Sequence, residues 1–393
     1  MKKKIAILHS EMIVGGSEKV LLNMLEALDY EQYDVTLFLP NEQGGFYSKI
    51  PKQVKIAIYS TKEEERSFFQ IASLHLKHRA FFDIVRLVYY RIMQRLHNHD
   101  WYWKTIYFYE SLPKLSNDVY DGVFIYDDKS QRDIYFVSHQ LRYKKRISWI
   151  HNSFQEEVSQ DYYIPKEYAQ MDRIFCVSES VRKNVEKYFP FLKGRTEVFY
   201  NLLDTKEIEE KALEVPRILI EGDSLLSVGR LAPEKGHTII PETMAILKEN
   251  GYQGKWYIIG EGPMRAEIEK QISEWKVENE VILLGEEKNP YPYMRNCRIF
   301  VQTSLMEGYC TTTLEAKVLH KPVVTTDAPG MKEQFTDGKN GIIIKNFDAK
   351  EIAEGLLQLM DDEALINKIR DNLKCEVMDN RSELKKLDRI LDS

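Results

Sequence analysis

The sequence lacks the features that mark several large classes of protein. Its 393 residues include only four cysteines, Cys176, Cys297, Cys310 and Cys375, and these have neither a CxxC pair nor the spacing of metal ligands. A reduced, cytoplasmic setting is the simplest interpretation of such cysteines. The net charge of −6 does not suggest bulk binding to nucleic acid. No run approaches 18 apolar residues, so the sequence predicts no membrane-spanning helix.

Other sequence signals are also missing. The first predicted strand is not followed by the dinucleotide fingerprint G-x-G-x-x-G. There is no convincing D-x-D metal motif, because Asp127 and Asp128 are adjacent and neighbouring side chains of a strand point in opposite directions. The start "MKKKIAILHSEM" is basic and then apolar, like a signal peptide, but its apolar stretch ends at His9. We therefore interpret it as a buried first strand.

What is present is the composition of a globular α/β protein, with 43% hydrophobic and 30% charged residues. A chain of this length exceeds one ordinary core, so two domains are expected. Short apolar runs alternate with helical patterns or long connections, which predicts a parallel, doubly wound sheet in each half of the chain. The predicted strands are 4–9, 33–40, 54–60, 121–127, 146–151, 173–178 and 196–201, followed by 224–230, 255–262, 280–286, 298–304, 321–327 and 341–346.

The boundary between the two halves lies in the charged stretch around Pro216. We predict an N-terminal domain at 1–201, a linker at 202–223, a C-terminal domain at 224–372, and a helical segment at 373–393 that returns to the N-terminal domain. Ligands of open α/β sheets bind beyond the carboxyl ends of the strands. The expected site is therefore a crevice between the two domains.

Two strand ends of the N-terminal half carry candidate site residues. Gly15 and Gly16 precede a helix that begins near Ser17. Glycines allow a close backbone approach, and free amides at a helix start suit a phosphate or a sugar hydroxyl. A tight structural turn explains the two glycines equally well. His151 ends another predicted strand, and this position favours a functional role over the structural one that is commoner for a lone histidine.

Two strand ends of the C-terminal half are more specific. In "SVGRLAPEKG", Arg230 follows a strand and Lys235 follows a proline turn, and together these cations suit a diphosphate. The alternative is a pair of solvated surface cations. In "LGEEKNPYPYM", the loop at Asn289, Pro290 and Tyr291 could hold a nucleotide base or simply begin a helix. Both interpretations of this loop remain open.

The stretch "MEGYCTTTLEA" contains two acids, Glu307 and Glu315, separated by seven residues. On one continuous helix their side chains would lie about 80° apart and more than two turns from each other. We predict instead a strand, a loop and a helix, with a threonine among 311–313 as the N-cap. A helix start between two acids favours an anion there, and this suggests a nucleotide sugar. Alternatively, Glu315 balances the helix dipole and Glu307 is an ordinary loop acid.

Together these motifs resemble the retaining family 4 glycosyltransferases of the GT-B fold. The resemblance rests on "GGSEKVLLNML", "SVGRLAPEKG", "IIGEGPMR", "LLGEEKNPYPYM", "MEGYCTTTLEA" with its Glu-x7-Glu spacing, and "GKNGIII". It covers most of 1–10, 15–28 and 196–370 and is weak at 60–120 and in the last twenty residues. It implies two Rossmann-like, doubly wound parallel-sheet domains that face each other across a cleft.

The resemblance also implies roles for matched residues. Arg230 and Lys235 would hold the donor diphosphate, Glu315 would bind the ribose, and Glu307 would contact the transferred sugar. His151 would lie near the reacting sugar, with Glu307 the other residue at the catalytic centre. The donor-binding set would be completed by Gly16, Gly308, Tyr309, Cys310, Thr311 and Thr312, and the base-binding loop would be Asn289, Pro290 and Tyr291.

The implied reaction moves a hexose or N-acetylhexosamine from a nucleotide sugar, with uridine favoured, to a glycan or lipid-diphosphate-linked saccharide. The anomeric configuration would be retained, and neither metal nor cofactor is expected. Tyr309 and Cys310 depart from the Phe and small residue or proline that often follow the first glutamate, which puts donor preference in question. The rival hypotheses are a non-catalytic carbohydrate-binding or regulatory subunit and a sugar-nucleotide epimerase.

Residues 66–109 match the family least and are unusual in composition. They contain seven Lys or Arg, four His and only two acids, and they are dense in aromatic residues. Phe82, Val85, Tyr89, Ile92 and Leu96 form a stripe at helical spacing. This segment is either a core-packing helix pair with a basic outer face or a surface that rests on anionic lipid. The second interpretation predicts a cytoplasmic protein that lies at the inner face of the plasma membrane.

Overall fold

The structure is a computed structural model, described here for residues 2–59, 73, 81–97, 99–126, 132–154, 163–220 and 223–393. The chain forms two compact units. Unit 1 comprises Met1–Val177, Val181–Tyr200 and Arg381–Ser393, and unit 2 comprises Ser178–Ser180 and Asn201–Asn380.

Unit 1 contains a seven-stranded sheet in which every pair of neighbouring strands is parallel. Its order is β3-β2-β1-β4-β5-β6-β7. The strands are β1 (Lys3–Leu8), β2 (Tyr33–Leu39), β3 (Lys55–Ile58), β4 (Val119–Ile125), β5 (Arg142–Ile150), β6 (Arg173–Cys176) and β7 (Thr196–Val198). The helices are α1 (Gly16–Ala27), α2 (Phe81–Leu96), α3 (Trp101–Ser111), α4 (Arg132–Val137), α5 (Ile164–Ala169) and α6 (Glu179–Tyr188), and α15 (Lys385–Asp392) from the C-terminus.

Unit 2 contains a six-stranded sheet that is also parallel throughout, in the order β10-β9-β8-β11-β12-β13. The strands are β8 (Leu225–Val228), β9 (Trp256–Ile259), β10 (Val281–Gly285), β11 (Ile299–Gln302), β12 (Val323–Thr326) and β13 (Ile342–Ile344). The helices are α7 (Thr205–Lys211), α8 (Ile240–Glu249), α9 (Arg265–Trp275), α10 (Tyr291–Asn296), α11 (Thr311–Val318), α12 (Met331–Gln334), α13 (Ala349–Asp361) and α14 (Glu363–Lys374).

All thirteen predicted strands are present, and the prediction of two doubly wound parallel sheets is confirmed. The reason is the burial of the strands on both faces. β8, β9, β11 and β12 are buried along their whole length and β1 over its last four residues, as expected of parallel strands covered by helices on both sides. Such strands appear in the sequence as short continuous apolar runs, which are easy to recognise.

The domain limits differ from the prediction in two places. Residues 202–223 were predicted to be a linker, but Leu203, Ile208 and Ala212 are buried in the core of unit 2. Helix α7 begins there because Asp204 caps it, accepting a hydrogen bond from the backbone N–H of Glu207 at 2.9 Å. At the other end, the chain returns to unit 1 at Arg381 rather than at residue 373.

Helix α15 is attached to unit 1 by polar contacts at the amino ends of β1 and β2. The Tyr33 hydroxyl donates to Asp388 at 2.5 Å, and the Lys3 ammonium lies 3.2 Å from Asp388 and 2.8 Å from Asp392. Leu387 and Ile390 are buried on the other side of the helix. An amphipathic C-terminal helix thus completes the N-terminal unit.

A buried ionic network stabilises the interior of unit 1. The Arg146 guanidinium on β5 lies 2.6 Å from the Glu167 carboxylate on α5, and both side chains are fully buried. Tyr102 on α3 donates to the same carboxylate at 3.0 Å, and the ring of His139 lies 3.4 Å from it. Burial raises the pKa of Glu167, but Arg146 and His139 outweigh this effect and lower the pKa to about 2. The network therefore connects helices α3 and α5 to the sheet.

Candidate active site

The site in unit 2 lies where the strand order reverses. β8 and β11 are neighbours in the sheet, although β9 and β10 lie between them in sequence. In doubly wound sheets this switch point leaves a crevice at the carboxyl ends of the two strands. Arg230 and Lys235 follow β8, and Glu307 follows β11. The topology therefore brings these three predicted site residues to the same edge of one sheet.

Lys235 and Glu307 are in direct contact. The Lys235 ammonium lies 2.6 Å from Oε1 of Glu307, and the Ser304 hydroxyl donates to the same oxygen at 2.6 Å. Burial lowers the pKa of Lys235, but the charge of Glu307 outweighs it, so the pKa is raised and the lysine stays charged. The predicted diphosphate lysine thus touches the glutamate predicted to contact the sugar.

A tight turn places Lys235 in this position. The 3₁₀ turn Pro233–Lys235 ends at Gly236, which has a left-handed φ of 63°. A Cβ at Gly236 would lie 2.3 Å from the carbonyl oxygen of Thr303, so a larger residue would collide with backbone. The Thr303 hydroxyl donates to the carbonyl of Lys235 at 3.0 Å. The proline and glycine around Lys235 therefore bring the end of β8 against the end of β11.

Arg230 differs from Lys235 in its environment. Its side chain is 68% exposed, and its ion pair with Glu234 is long, at 4.0 Å. The gap between the ends of β8 and β9 is small at this point, because a Cβ at Gly260 would lie 1.9 Å from the carbonyl oxygen of Gly229. A glycine pair thus allows β8 and β9 to approach closely below an exposed guanidinium.

Glu315 lies on helix α11, as predicted, and Glu307 lies in the loop before it. The predicted threonine N-cap is wrong, because the N-cap is Cys310 and it makes no side-chain capping bond. Thr313 instead donates to the carbonyl of Cys310 at 3.0 Å, which uses its hydroxyl inside the helix. The amides of the first turn have no intrahelical partner by the geometry of a helix.

Glu315 is held by an aromatic residue of the predicted base-binding loop. Its Oε1 accepts a hydrogen bond from the Tyr291 hydroxyl at 2.9 Å, and both residues are buried. The Asn289 side chain donates to the carbonyl of Lys211 at 2.9 Å and accepts from the N–H of Tyr291. Pro290 is the N-cap of α10. The side chains of this loop therefore begin a helix and orient Glu315. Any contact between the loop and a nucleotide base would then be made by the backbone of the loop.

The loop between the two glutamates is partly engaged with its own unit. The carbonyl of Gly308 accepts from the Ser178 hydroxyl at 2.7 Å, and the carbonyl of Tyr309 accepts from the Asn201 amide at 3.0 Å. Burial raises the pKa of the Cys310 thiol, whose sulfur lies 3.3 Å from the hydroxyl of Thr312. Thr311 is the first residue of α11. The conformation of this loop is thus fixed by hydrogen bonds that its backbone carbonyls accept.

His237 is a residue that the sequence reasoning missed. It is 1% exposed, and within the described part of the chain neither ring nitrogen has a hydrogen-bond partner. Burial, together with the charge of Lys235, lowers the pKa of His237 to about 3, so the ring is neutral. Its Cε1 lies 3.6 Å from the place a Cβ at Gly229 would occupy. Its position directly after "EKG" was the only sequence signal.

In unit 1 the switch point lies between β1 and β4. Gly16 is exposed at the start of α1, beyond the end of β1. Tyr126 follows β4, and the half-buried His151 follows β5, with the two ring centroids 4.7 Å apart. The ring of His9 packs edge-on against Tyr126 at 6.0 Å. The structure therefore places Gly16 and His151 at one edge of the sheet, with His9 and Tyr126 in addition.

The helical stripe of the basic, aromatic segment is on the surface of unit 1. Val85 is 73% exposed and Leu96 is 70% exposed, and Tyr89 and Ile92 are also exposed. The core-packing interpretation is therefore wrong for these four residues, whereas it is right for Leu87 on the same helix and for Tyr102 and Tyr109 on α3, which are buried. Phe82 and Arg86 have no described side chain, and Arg79 lies outside the described residues, as do Asp127 and Asp128.

Not every basic residue of this segment faces outward. The Arg91 guanidinium lies 5.4 Å from the ring centre of Phe108 on α3 and donates to Gln94 at 2.8 Å, whereas Arg95 is exposed. None of the helices in the described part of the chain is long and apolar enough to cross a bilayer. Among the described residues there is also no group of three metal-ligating side chains.

Comparisons with known proteins identify glycosyltransferases that are similar to part of this chain. Residues 212–375 match the family model of glycosyl transferases group 1. The chain is 30% identical over 229 residues to N-acetylgalactosamine-N,N'-diacetylbacillosaminyl-diphospho-undecaprenol 4-alpha-N-acetylgalactosaminyltransferase of Campylobacter jejuni, covering 58% of this chain and 61% of the relative. It is 29% identical over 171 residues to the capsular polysaccharide biosynthesis glycosyltransferase CapM of Staphylococcus aureus, covering 43% and 44%. The matches span less than two thirds of either relative.

Solved structures resemble the whole chain. HepE of Anabaena, in complex with UDP and glucose, has a TM-score of 0.70 at 17% identity and covers 100% of both chains. TarM of S. aureus has a TM-score of 0.71 at 16% identity, covering 100% of this chain and 99% of TarM. At these identities the likeness shows the fold, which is GT-B.

Proposed function

We propose that this protein transfers a sugar from a nucleotide sugar to a glycan or lipid-linked saccharide. The premise is that the chain has the fold of the GT-B glycosyltransferases and that residues 212–375 match a glycosyl transferase family model. The finer parts of the proposal are a uridine donor, a hexose or N-acetylhexosamine as the transferred sugar, and retention of the anomeric configuration. The curated relatives support the acceptor class, since the Campylobacter enzyme is named for a diphospho-undecaprenol substrate.

The observation that carries the proposal is the contact between Lys235 and Glu307, at 2.6 Å across the switch point of unit 2. An ammonium group has three N–H donors, and Glu307 occupies one of them. A donor phosphate oxygen can take another without breaking the pair. Lys235 would then hold the diphosphate directly beside the carboxylate proposed to contact the sugar, which places the bond to be broken between them.

The proposed chemistry is electrostatic. As the bond between sugar and phosphate breaks, negative charge grows on the diphosphate and positive charge on the sugar ring. Arg230, Lys235 and the first-turn amides of α11 are positioned for the growing negative charge. The acceptor hydroxyl forms the new glycosidic bond on the face that the diphosphate leaves, and its proton passes to a diphosphate oxygen. We propose that these charges act without a metal ion or cofactor.

Glu307 and Glu315 have separate roles in this proposal. Oε1 of Glu307 already accepts from Lys235 and Ser304, so Oε2 is the oxygen that we assign to a sugar hydroxyl. Oε1 of Glu315 accepts from Tyr291, which orients the carboxylate that we assign to the ribose hydroxyls. Each glutamate is therefore held by its neighbours on one oxygen, which reduces the reordering needed when the donor binds.

The exposed stripe on α2 supports a proposal about the acceptor side. Four apolar or aromatic side chains and Arg95 face outward on one helix of unit 1. Apolar side chains that lie beside basic residues suit the interface of an anionic membrane. We propose that α2 rests on the cytoplasmic leaflet, so that a lipid-linked acceptor is presented to unit 1.

The test is incubation of the purified protein with a panel of nucleotide sugars and membrane-derived acceptor lipid. Released nucleoside diphosphate and labelled lipid are measured, and the product's anomeric proton is read by NMR. We expect release from a uridine sugar and an anomeric configuration equal to that of the donor. Binding of saccharide without nucleotide release would support a non-catalytic subunit. Interconversion of nucleotide sugars without transfer would support an epimerase.

A further inference from the structure

The switch point of unit 1 contains a second buried charge pair, formed by His9 and Glu18. His9 follows β1 and is 1% exposed, and Glu18 lies in the first turn of α1 and is 6% exposed. Nε2 of His9 lies 3.6 Å from Oε1 of Glu18, and Nδ1 lies 2.7 Å from the carbonyl oxygen of Tyr126. Glutamate is almost never buried to this degree unless it is paired.

The geometry determines where the protons of His9 lie. A carbonyl oxygen can only accept, so Nδ1 must carry a proton and donate it to Tyr126. With neutral His9, the lone pair of Nε2 would face the carboxylate in a buried site. Burial raises the pKa of Glu18, but His9, the helix amide and the Ser17 hydroxyl together hold it below its ordinary value. The carboxylate is therefore ionised, and a proton on Nε2 of His9 would face it across the 3.6 Å contact.

Glu18 also explains why residue 15 is glycine. A Cβ at Gly15 would lie 2.3 Å from Oε2 of Glu18, and Ser17 donates to this same oxygen at 3.0 Å. The φ of Gly15 is −155°, which is extended backbone that any residue adopts. A Cβ at residue 15 would therefore displace the Glu18 carboxylate from its present position, whereas the backbone conformation alone does not call for glycine.

His9 connects the glycine loop to the other predicted residues of this sheet edge. On one side it contacts Glu18, which packs against Gly15 at the start of α1. On the other side it donates to the carbonyl of Tyr126, whose ring packs against His151. The His9 side chain thus lies between the glycine loop and the Tyr126–His151 aromatic pair of unit 1.

We propose that His9 and Glu18 are a positioning pair for the proposed transfer reaction: the imidazolium–carboxylate contact fixes the Gly15–Gly16 loop relative to Tyr126 and His151. The inference rests on the proposed function only for its effect on catalysis. The protonation of His9 and the fit of Glu18 against Gly15 are properties of the folded protein, and they can be measured without a substrate.

The first test is NMR of the full chain with isotope-labelled histidine. We expect His9 to carry protons on both ring nitrogens at pH 7 in the wild type. In Glu18→Gln the amide can donate to Nε2, so His9 should become neutral and keep only its Nδ1 proton. His9→Gln identifies the signal among nine histidines. If that variant does not fold, the signal that changes in Glu18→Gln identifies it. A neutral His9 in the wild type, or the absence of any histidine signal that changes in Glu18→Gln, would overturn the proposal.

The second test is a double-mutant cycle between Gly15→Ala and Glu18→Ala. An alanine at position 15 displaces the carboxylate from His9, so the two changes should remove the same contact. We expect each to lower kcat by up to about 100-fold, as for a misplaced site loop, and the double variant to lose little more. The dissociation constant of UDP should change much less than kcat, because Gly16 is the one residue of unit 1 in the proposed donor-binding set.

Gly45→Ala is the matched control. A Cβ at Gly45 would lie 2.5 Å from Cγ2 of Val14, the residue that precedes Gly15. This clash does not involve Glu18. Its effect should add to that of Glu18→Ala, in both kcat and the free energy of unfolding. Additive effects of Gly15→Ala and Glu18→Ala would overturn the proposed fit. If the wild type releases no nucleotide, the proposed function fails, and the NMR signals and unfolding free energies still decide the pair.

Discussion

Both sheets have an ion pair at the point where the strand order reverses, but the two pairs differ in what they can still bind. In unit 2 the pair is Lys235 and Glu307, and 23% of the lysine side chain is exposed. In unit 1 the pair is His9 and Glu18, and both side chains are closed off from solvent. An ammonium group has three donors, whereas an imidazolium has two. Glu18 and the carbonyl of Tyr126 face the two nitrogens of His9, while Lys235 can accept another anion.

The switch point in strand order therefore serves a different purpose in each sheet. A cation with spare donors at the edge of a sheet suits a ligand with variable charge, such as a diphosphate before and after transfer. A cation enclosed by the protein itself suits the fixing of backbone. The contrast can be tested by variants that remove charge from one unit at a time, since the unit 2 pair should affect nucleotide binding far more than the unit 1 pair.

The largest effect is expected from removal of both cations beside β8. Arg230→Ala combined with Lys235→Ala should lower kcat/KM by more than about 10³-fold, because loss of a single electrostatic donor in an active site already costs about 10²–10³-fold. Steady-state kinetics with the active nucleotide sugar provides the measurement. Lys350→Ala, at an exposed lysine on α13 of unit 2, is the control. Near-normal turnover by the double variant would contradict the assignment of the diphosphate site.

A second variant shows whether buried charge in unit 1 away from the switch point is purely structural. Glu167→Gln leaves Arg146 without its carboxylate, and loss of one partner of a buried pair costs about 3–5 kcal/mol in the free energy of unfolding. Denaturant unfolding at pH 7 measures this change. The dissociation constant of UDP should stay constant where the variant is folded, and a parallel loss of UDP affinity would contradict the separation of the units.

The same residue predicts a pH dependence. The pKa of Glu167 is about 2 in the folded protein, below its ordinary value of 4.5. Its contribution to stability is therefore complete above pH 4.5 and is lost as the pH falls towards 2. Unfolding free energies across this range should decline less steeply in Glu167→Gln than in the wild type. Equal slopes would show that the carboxylate is not held ionised by Arg146.

The two glutamates of unit 2 should differ in the kinetic constant that they affect. Glu307→Gln should lower kcat more than it weakens binding of UDP, because the carboxylate is assigned to the transferred sugar. Glu315→Gln should weaken UDP binding by about 10-fold, the cost of one charge-assisted hydrogen bond. Calorimetric titration with UDP separates the two roles. Loss of UDP binding in Glu307→Gln alone would reverse or refute them.

The smallest effect concerns the outer face of unit 1. Ile92→Glu with Leu96→Glu should reduce flotation of the protein with anionic liposomes, because each change removes an exposed apolar group from the proposed interface. Val215→Glu with Val377→Glu, at two exposed positions in unit 2, is the matched control and should have no effect. Absence of wild-type flotation at low salt would contradict membrane contact and leave a soluble acceptor as the alternative.

Much of the fold could be predicted because its signals are local. The thirteen strands are short apolar runs separated by helices or long connections, and parallel pairing follows from such connections. Two details could not be predicted in this way. Burial of Leu203 and Ile208 makes the supposed linker part of unit 2, and Thr313 bonds within its helix instead of capping it.

In the candidate site, too, some features follow from local sequence patterns and others only from the folded structure. Local residue patterns are enough to find the residues that follow strand ends, including Arg230, Lys235 and Glu307, because a strand end is marked by the residues next to it. Three findings required the folded structure: Lys235 contacts Glu307, Tyr291 donates a hydrogen bond to Glu315, and the stripe on α2 is exposed. These contacts join residues far apart in the chain, so they depend on strand order and on the packing of whole elements, which no local pattern of residues contains.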